Sequence, residues 1–481
     1  MPHSGSYRFL LTLMLLGSNY PSSSLNDRTL EMTLRDRRRR LANEVDFAVV
    51  LWSGRGKSRN FPANRYPFRA SSHFLYFAGL QLENAAIRLD RGQLELFYDN
   101  PSPSSILWHG ETPNRTELAR IMGADAAFPL AELASRAKGA ATIAVQNDEV
   151  RQQQAAILER SLSPLDDLSG IDRQLVRAIV KLRSQQDAGA IAELRQAAAV
   201  TVEAHKAGMT ATMTANTEAQ VRGAMEGVIL GYNMTCAYNS IVTMRGDVLH
   251  NERYHHPLNA GDLLLADVGA ETPGGWAADI TRTWPVNGTF SATQRDIYDV
   301  VLAAHDRAIA AIKPGVEYRN LHLMACEVLA TGLVDLGILR GDPQSLVETD
   351  AHALFFPHGL GHLLGLDVHD MEDLGDYAGY GKNRARSSRF GLGYLRLHRP
   401  LEVGMVVTIE PGFYQVDAIL NDPQRRETYS EMVNWERLEQ FQDVRGIRIE
   451  DDVLVTEDGA EVLTAALPTQ AEAIEGLVRG V

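Results

Sequence analysis

The sequence predicts a protein of two α/β domains, the second mixing strands and helices in the α+β manner. The chain has 481 residues, which is too long for one core at about 100–200 residues per domain. Short apolar runs alternate with turns and helical patterns over 45–185, and a second mixture of strands and helices follows over 186–475. The composition, 45% hydrophobic and 22% charged, is that of a folded chain.

Residues 1–44 are expected to form an extension that is disordered or helical. The apolar run Phe9–Leu16 is too short to span a bilayer. Its weakly basic start and the absence of an A-x-A site argue against a secretory signal, which stays the alternative. A helix-like run begins at Met32, so an upstream extension of the true start is the preferred interpretation. We therefore expect a cytoplasmic protein.

The region 45–185 carries apolar runs that are typical of strands and no sign of a reactive centre. The predicted strands are FAVVLW, HFLYFAGL, AAIRLD, LELFYD and ATIAVQ, beginning at Phe47, His73, Ala85, Leu94 and Ala141. Helices are predicted from Arg115 and Asp172 in this region.

In the second region, helices are predicted from Ala188 and Arg295. Apolar residues recur at three- and four-residue steps in the helices from Asp172 and Ala188. The polar segment 184–190 places the domain boundary near 185.

Charge and cysteine content exclude several classes of function. The net charge of −14 argues against a nucleic acid or an anionic membrane surface as partner. No apolar stretch is long enough to predict a transmembrane helix. Two cysteines, Cys236 and Cys326, are too few for a disulfide framework or a thiolate zinc site, so we expect both to be reduced and mostly buried.

A predicted β-hairpin carries an acidic residue on each arm. The apolar run LLLA precedes Asp267, a turn follows at 272–275, and the second strand contains Asp279. A carboxylate in an apolar strand is costly unless it meets a cation or hydrogen-bond donors. The alternative is a pair of surface-facing aspartates in an exposed hairpin.

Three histidines, His358, His362 and His369, follow within twelve residues. Glycines at 359, 361 and 365 would let the backbone approach a site closely. Neutral imidazole is a good ligand for borderline divalent metals. One histidine here would more often be structural, but three beside the predicted acids favour a metal site.

Glu410 and Glu450 lie in two further apolar strand runs, VVTIEPGFY and GIRIEDDVLV. Arg448 precedes Glu450 by two residues, so both should point to the same strand face, where the arginine could hold carboxylates in register. Asp451 and Asp452 are interpreted as solvated acids at the strand end.

Five of these residues make an oxygen-rich ligand set: Asp267, Asp279, His362, Glu410 and Glu450. Four carboxylates and one imidazole favour Mn²⁺, with Co²⁺, Fe²⁺ or Zn²⁺ as alternatives, and one such set can hold two divalent ions. Without cations, the crowded carboxylates would repel one another.

In the settings DVGA, DITRTW, HGLGHLLGLDVHD, TIEPGFY and GIRIEDD, these residues resemble the pita-bread metallopeptidases, and within them the Xaa-Pro branch of prolidase and aminopeptidase P. The resemblance is strong over 190–475 and weak over 45–185. It implies an aminopeptidase P/prolidase-like amino-terminal domain followed by a pita-bread catalytic domain.

The resemblance also implies a role for each site residue. Asp267 would bind one metal, Asp279 and Glu450 would bridge the pair, and His362 and Glu410 would complete the second metal. A water molecule between the ions would be the nucleophile, with Glu410 accepting a proton from it. The residues implied to stabilise the intermediate and pass a proton to the leaving nitrogen are His250, His358 and His369. Those implied to bind substrate or support the site are Arg396, Tyr414 and Arg448.

Arg396 guides the choice within the branch, since prolidases have an arginine there that pairs with the free carboxylate of a dipeptide. We therefore expect an exopeptidase that cleaves the Xaa-Pro bond of short peptides, with an Xaa-Pro dipeptidase as the first reading. An aminopeptidase P acting on longer peptides is the alternative, and a non-catalytic pita-bread binding protein is a distant one. Three nearby arginines could bind the substrate carboxylate in place of Arg396, or they could simply form a solvated basic loop: Arg384, Arg386 and Arg389. Because such relatives often pair, a homodimer is expected.

Overall fold

The computed structural model of the protein describes residues 27–381 and 384–481, which divide into two compact units. Among the described residues, the first unit comprises 27–163 together with 169–175, and the second comprises 164–168, 176–381 and 384–481. The apolar run Phe9–Leu16 lies outside the described residues. The predicted helical run after Met32 is confirmed, since it lies within a helix over Asp27–Glu44.

The helices in chain order are α1 Asp27–Glu44, α2 Ser72–Ala78, α3 Pro103–His109, α4 Arg115–Ile121, α5 Leu133–Ala137, α6 Asp148–Ile157, α7 Gly170–Ser184, α8 Ala188–Thr212, α9 Glu218–Gly231, α10 Ala292–Ala310, α11 Tyr318–Asp335, α12 Pro343–Glu348, α13 Asp376–Gly379, α14 Asp417–Leu420, α15 Pro423–Thr428, α16 Trp435–Leu438 and α17 Ala471–Arg479. The strands are β1 Val49–Trp52, β2 Ala86–Asp90, β3 Gln93–Phe97, β4 Ala126–Phe128, β5 Thr235–Cys236, β6 Ile241–Thr243, β7 Leu263–Asp267, β8 Ala270–Glu271, β9 Thr281–Pro285, β10 Val406–Ile409, β11 Gly412–Tyr414, β12 Gly446–Arg448, β13 Asp451–Val455 and β14 Ala460–Val462. Short 3₁₀ turns lie at Leu130–Glu132, Leu165–Asp167, Ala351–Leu354, Glu372–Leu374 and Glu439–Phe441.

The first unit is built on a mixed sheet in the order β1-β2-β3-β4. The strands β1, β2 and β3 are antiparallel neighbours, and β4 joins β3 in parallel. Val50, Trp52 and Phe97 are buried on this sheet and pack with Leu133 and Val150 from the helices. The alternation of strands and helices predicted for this region is therefore confirmed.

Two predicted strands of this unit are wrong. The run from His73 forms helix α2, in which every residue is buried. A run that is apolar on all sides cannot be assigned to a helix or a strand by its periodicity. Gly79 ends the helix with a φ of 65°, a conformation that favours glycine.

The second wrong strand begins at Ala141, which touches the sheet through one isolated bridge to Val49. The backbone N–H groups that follow are bound by side chains instead of a strand. Thr142 N donates to Asp172 Oδ1 at 2.9 Å, and Val145 N donates to Gln154 Oε1 at 3.0 Å. Side-chain acceptors on the two helices that follow thus replace the strand hydrogen bonds that the apolar sequence predicted.

The second unit carries the predicted site residues on small antiparallel sheets, with strand orders β6-β7-β9, β10-β13-β14, β11-β12 and β5-β8. In the predicted hairpin, β7 pairs with β9, and Asp267 lies opposite Thr281. The segment between β12 and β13 joins this hairpin, because Glu450 N donates to Thr281 O at 3.0 Å and Arg282 Nη1 donates to Glu450 O at 2.6 Å. Acids that are distant in sequence therefore converge.

Long helices cover these sheets, at the positions that the periodicity predicts. Asp187 caps α8 by accepting a hydrogen bond from Ala190 N at 2.8 Å, as N-terminal aspartates commonly do. Ser291 and Gln294 form a capping box at the start of α10. The buried Trp284 of β9 donates its indole N–H to Thr212 of α8 at 2.9 Å, which ties sheet to helix.

Asp451 and Asp452 are buried, at 2% and 1% exposure, so their predicted solvation is wrong. Asp451 forms an ion pair with Arg282 at 2.9 Å and accepts a hydrogen bond from Thr464 Oγ1 at 2.5 Å. Asp452 accepts a hydrogen bond from the backbone N–H of Asp279 at 3.2 Å. Their partners lie far away in sequence, so local pattern could not reveal them.

Both cysteines are free, as predicted, with Cys326 buried and Cys236 half-buried. Within 27–381 and 384–481, none of the helices has the length and hydropathy that a bilayer crossing needs.

Candidate metal centre

A cavity of about 430 Å³ in the second unit gathers almost all of the predicted site residues. This volume is within the usual range for small-molecule sites, about 300–1,000 Å³. The predicted residues in its walls are His250, Asp267, Asp279, His358, His362, His369, Arg396, Glu410, Arg448 and Glu450. Tyr414 lies buried behind the wall, where its hydroxyl is 2.9 Å from both His358 Nε2 and Arg448 Nη1.

Asp279, His362 and Glu450 form the tightest group, since each offers a ligand atom within 4.8 Å of the others. Asp279 lies just before β9, and Glu450 lies between β12 and β13. His362 Nδ1 is 3.0 Å from the carbonyl of Leu363, so this nitrogen carries the proton and donates it. The lone pair of Nε2 then faces the acids, at 3.5 Å from Asp279 Oδ2 and 3.5 Å from Glu410 Oε1.

The position of His362 depends on a glycine beside it. Gly361 has a φ of 156°, and a Cβ there would lie 2.2 Å from the carbonyl oxygen of Thr408 on β10. This close approach lets Thr408 N donate to His362 O at 3.0 Å and lets His362 N donate to Thr408 Oγ1 at 3.1 Å. The predicted close backbone packing at this glycine is confirmed.

Tyr238 is part of the centre, although no motif or pattern in the sequence indicates it. Its hydroxyl lies 2.5 Å from Asp267 Oδ1 and 2.5 Å from Asp279 Oδ1. Burial, followed by the charges of these aspartates, raises the pKa of the phenol well above its ordinary value, so it remains a donor. Tyr238 therefore holds together the acids from the two arms of the hairpin.

Arg448 organises the other side of the centre with all of its guanidinium nitrogens. Nη2 donates to Asp267 Oδ2 at 2.6 Å, Nε donates to Thr281 Oγ1 at 2.9 Å, and Nη1 donates to the hydroxyl of Tyr414. Thr281 Oγ1 in turn donates to Glu450 Oε2 at 2.5 Å. The predicted role of this arginine in aligning carboxylates thus has a geometric basis, directly for Asp267 and through Thr281 for Glu450.

The acids have strongly perturbed pKa values. Burial, together with the charge of Asp267, raises the pKa of Asp279 to about 8. Burial raises the pKa of Glu410 to about 7, and it raises that of Glu450 well above the ordinary range. Carboxylates packed this closely are stable as anions only when cations neutralise them. The donor set therefore fits divalent metal ions that prefer oxygen ligands.

The three remaining histidines differ in their surroundings. His358 is engaged on both nitrogens, with Nδ1 2.8 Å from Gly359 O, and burial followed by the charge of Arg448 lowers its pKa to about 3. His369 lies edge-on to the His362 ring, with centroids 4.3 Å apart, and its Nδ1 is 2.7 Å from Glu372 Oε2. His250 lies on the exposed rim of the cavity.

Arg396 also faces the cavity, where its guanidinium donates to Glu372. The arginines predicted as its rivals, or as a solvated basic loop, are paired with acids of the same unit. Arg384 meets Glu317 at 2.5 Å, Arg386 meets Asp376 at 2.8 Å, and Arg389 meets Asp350 at 2.7 Å. Of these three, Arg386 lines the cavity.

Several buried carboxylates beside one oriented imidazole lower the stability of the fold unless a cation binds among them. Its position at the bottom of an open cavity suits chemistry on a bound substrate, because divalent ions activate water and polarise carbonyl groups. The fold and the site therefore define a metal-dependent hydrolase.

Comparison with known proteins agrees with this class. Residues 192–457 match the metallopeptidase family M24, and residues 34–147 match the aminopeptidase P N-terminal domain. A probable Xaa-Pro aminopeptidase of Talaromyces stipitatus is 30% identical over an alignment covering 97% of this chain and 98% of the relative. The Xaa-Pro aminopeptidase of Haemophilus influenzae is 33% identical, over 90% of this chain and 93% of the relative.

Solved structures show the same similarity. Aminopeptidase PepP of Pseudomonas aeruginosa has a TM-score of 0.76 and 27% identity, covering 94% of this chain and 98% of that one. Escherichia coli aminopeptidase P, solved with the inhibitor Pro-Leu, has a TM-score of 0.75 and 27% identity over the same shares. The chain belongs to metallopeptidase family M24, and the predicted resemblance to the pita-bread Xaa-Pro peptidases is confirmed.

The names of these relatives bear on the choice within the branch. They are named aminopeptidases, so they support the alternative reading, and the first reading as a prolidase finds no support in them.

Proposed function

We propose that the protein is an Xaa-Pro aminopeptidase, which removes the first residue from peptides whose second residue is proline. The observation that carries this proposal is near-full-length similarity to proteins named for that activity. It is supported by the cavity, which holds the five candidate ligands of this chain together. We also propose that the amino-terminal domain spans 45–185 and that the catalytic domain spans 186–475.

We further propose that the centre takes two divalent ions, with Mn²⁺ preferred and Co²⁺, Fe²⁺ or Zn²⁺ as alternatives. Asp267 would hold one ion, His362 and Glu410 the other, and Asp279 and Glu450 both. When bound, the ions supply Lewis-acid chemistry that polarises a peptide carbonyl and acidifies water.

The chain's own groups carry the remaining steps. Glu410 is part-exposed to the cavity, with Oε1 3.5 Å from His362 Nε2, and is the group placed to accept a proton. His369 and His250 face the cavity and would donate hydrogen bonds to the developing oxyanion or a proton to the leaving nitrogen. His358 is held neutral by burial, and Tyr414 fixes its orientation.

A peptide-length assay joined to metal analysis tests the proposal. The protein is stripped with a chelator, reloaded with Mn²⁺, and assayed on an Xaa-Pro dipeptide, on the same peptide extended by one residue, and on the extended peptide with alanine in place of proline. We expect the extended proline peptide to be turned over fastest. The Asp279→Asn variant should lose activity with all three.

Two results would contradict the proposal. A preference for the free dipeptide would restore the prolidase reading. Absence of turnover with each of the four metals, in protein that binds them, would favour a non-catalytic binding protein.

We also propose a homodimer in the cytoplasm. The two free cysteines suit a reducing compartment. Light scattering coupled to size-exclusion chromatography measures the mass directly, and the mass of a single chain would contradict the dimer.

A further inference from the structure

Among the described residues, three arginines line the cavity: Arg386, Arg396 and Arg448. Arg448 is buried at the bottom and is engaged by Asp267. The other two lie at the more exposed rim, and each meets an acid of one short segment, 372–376. Glu372 accepts a hydrogen bond from Arg396, and Asp376 Oδ1 accepts one from Arg386 Nε at 2.8 Å.

The charge at this rim affects how tightly peptides of different length bind. A dipeptide carries its free carboxylate one residue beyond the bond to be cleaved, so that this charge must enter the cavity. A guanidinium that faced the cavity without a partner would bind this carboxylate through charge-assisted hydrogen bonds. In a longer peptide the same position is a neutral amide, which gains little from such an arginine.

We infer that Glu372, assisted by Asp376, is a specificity-determining residue that disfavours dipeptides by neutralising the rim arginines. The inference rests on the proposed function and names the feature of this chain that would separate longer peptides from dipeptides.

Glu372 is held in place by more than one contact. Its Oε2 lies 2.7 Å from His369 Nδ1, while its Oε1 faces Arg396. The hydrogen bond from His369, followed by the charge of Arg396, lowers the pKa of Glu372 to about 2, so it is ionised at neutral pH. It begins the 3₁₀ turn Glu372–Leu374, in which Gly375 N donates to Glu372 O at 2.9 Å. The acid is thus placed by local backbone structure.

Charge-removing variants test the inference. Glu372→Gln, Asp376→Asn and the double variant keep side-chain size while removing the negative charge. Glu317→Gln is the matched control, because Glu317 pairs with Arg384 and does not line the cavity. Each protein is assayed on an Xaa-Pro dipeptide, on its carboxyl-terminal amide and on the tripeptide, and kcat and KM are determined separately.

We expect Glu372→Gln to raise the ratio of kcat/KM for the free dipeptide over that for its amide by about tenfold, because a charged hydrogen bond becomes available. The gain should appear as a lower KM for the free dipeptide. Any effect on His369 would change kcat for all substrates equally and leave the ratio unchanged. Adding Arg396→Ala to Glu372→Gln should abolish the gain, and Glu317→Gln should keep the wild-type ratio.

An unchanged ratio in Glu372→Gln and in the double variant would overturn the inference, as would an equal gain in Glu317→Gln. Failure of the proposed function can be told apart from failure of this inference. If the proposed function is wrong, the wild-type protein cleaves no Xaa-Pro peptide of any length or prefers the free dipeptide. The inference is then wrong as well. If the wild-type protein prefers the tripeptide while the ratio does not respond to these variants, only the inference is wrong. Calorimetric binding of the dipeptide and of its amide to the variants supplies a second readout, in which only the free carboxylate should bind more tightly.

Discussion

Arg448 donates a hydrogen bond to Asp267 across 2.6 Å, although the two residues are 181 positions apart in the chain. The same guanidinium binds Thr281 and Tyr414, so one buried cation links the strands that bring the candidate ligands together. Asp267 is thereby fixed in orientation before any metal arrives. We therefore expect the main effect of Arg448 to be on metal affinity.

The first prediction replaces this arginine by lysine. Arg448→Lys keeps the charge but cannot bind three partners at fixed angles. Groups that orient metal ligands typically affect metal affinity by about 10- to 100-fold. We expect Mn²⁺ affinity to fall by that order in a competition titration with a chelating dye. Arg445→Lys, at an exposed neighbouring position, is the control, and wild-type affinity in Arg448→Lys would contradict the prediction.

The second prediction concerns Tyr238→Phe, which removes the hydroxyl shared by Asp267 and Asp279. The two buried carboxylates then lose the one hydroxyl that lies between them and donates a hydrogen bond, at a cost of about 1–3 kcal/mol. We expect the free energy of unfolding of chelator-treated protein to fall by that amount in urea. Addition of Mn²⁺ should restore part of it, since cations replace the missing donor. Tyr232→Phe, at an exposed tyrosine, should have no effect, and an equal loss there would show that the assay does not report on the centre.

The third prediction is a pH dependence of the metal-free protein. In the folded chain, burial raises the pKa of Asp279 to about 8 and that of Glu410 to about 7. In an unfolded chain such groups titrate near pH ~4. The folded state therefore binds more protons between these values, so its stability is greatest at the acid end and falls as the pH rises toward 8.

We expect the free energy of unfolding of chelator-treated protein to decrease by roughly 4 kcal/mol from pH 6 to pH 8, when both groups are counted. Saturating Mn²⁺ should reverse the trend, because metal ions bind the deprotonated carboxylates more tightly as the pH rises. Urea unfolding at pH 6, 7 and 8, with and without Mn²⁺, measures both. Metal-free protein that becomes more stable over this interval would contradict the prediction.

The sequence predicts the candidate ligands but not most of the residues that hold them in position. Asp267, Asp279 and Glu410 could be identified because charged residues in apolar strand runs require a partner. Tyr238 and Glu372 lie in segments without such a contrast, and only the fold brings them to the acids or to Arg396. The same limit explains the run from His73, whose uniform burial removed the periodicity that separates helix from strand.

The fourth prediction tests the buried ion pair of Arg282 and Asp451, in which the acid is not solvated as its place at the strand end predicts. Arg282 is fully buried and donates to Asp451 Oδ1, to Leu467 O and to Glu450 O, so it ties the backbone of a candidate ligand to the core. In Asp451→Ala the guanidinium would remain buried without its anion, which typically costs about 3–5 kcal/mol.

We expect urea unfolding of Asp451→Ala to show a loss of that order, and we expect Mn²⁺ affinity to fall as well, because the Glu450 backbone would lose a fixed support. Asp458→Ala, at an exposed acid in the turn after β13, should change neither quantity. Replacing both partners, as in Arg282→Met with Asp451→Leu, should recover stability in part, since no charge is then left buried alone. If that double variant recovered stability while Mn²⁺ affinity stayed low, the pair would be shown to position Glu450 in addition to stabilising the core. A single variant Asp451→Ala with wild-type stability would mean that solvent reaches Arg282, contrary to its burial.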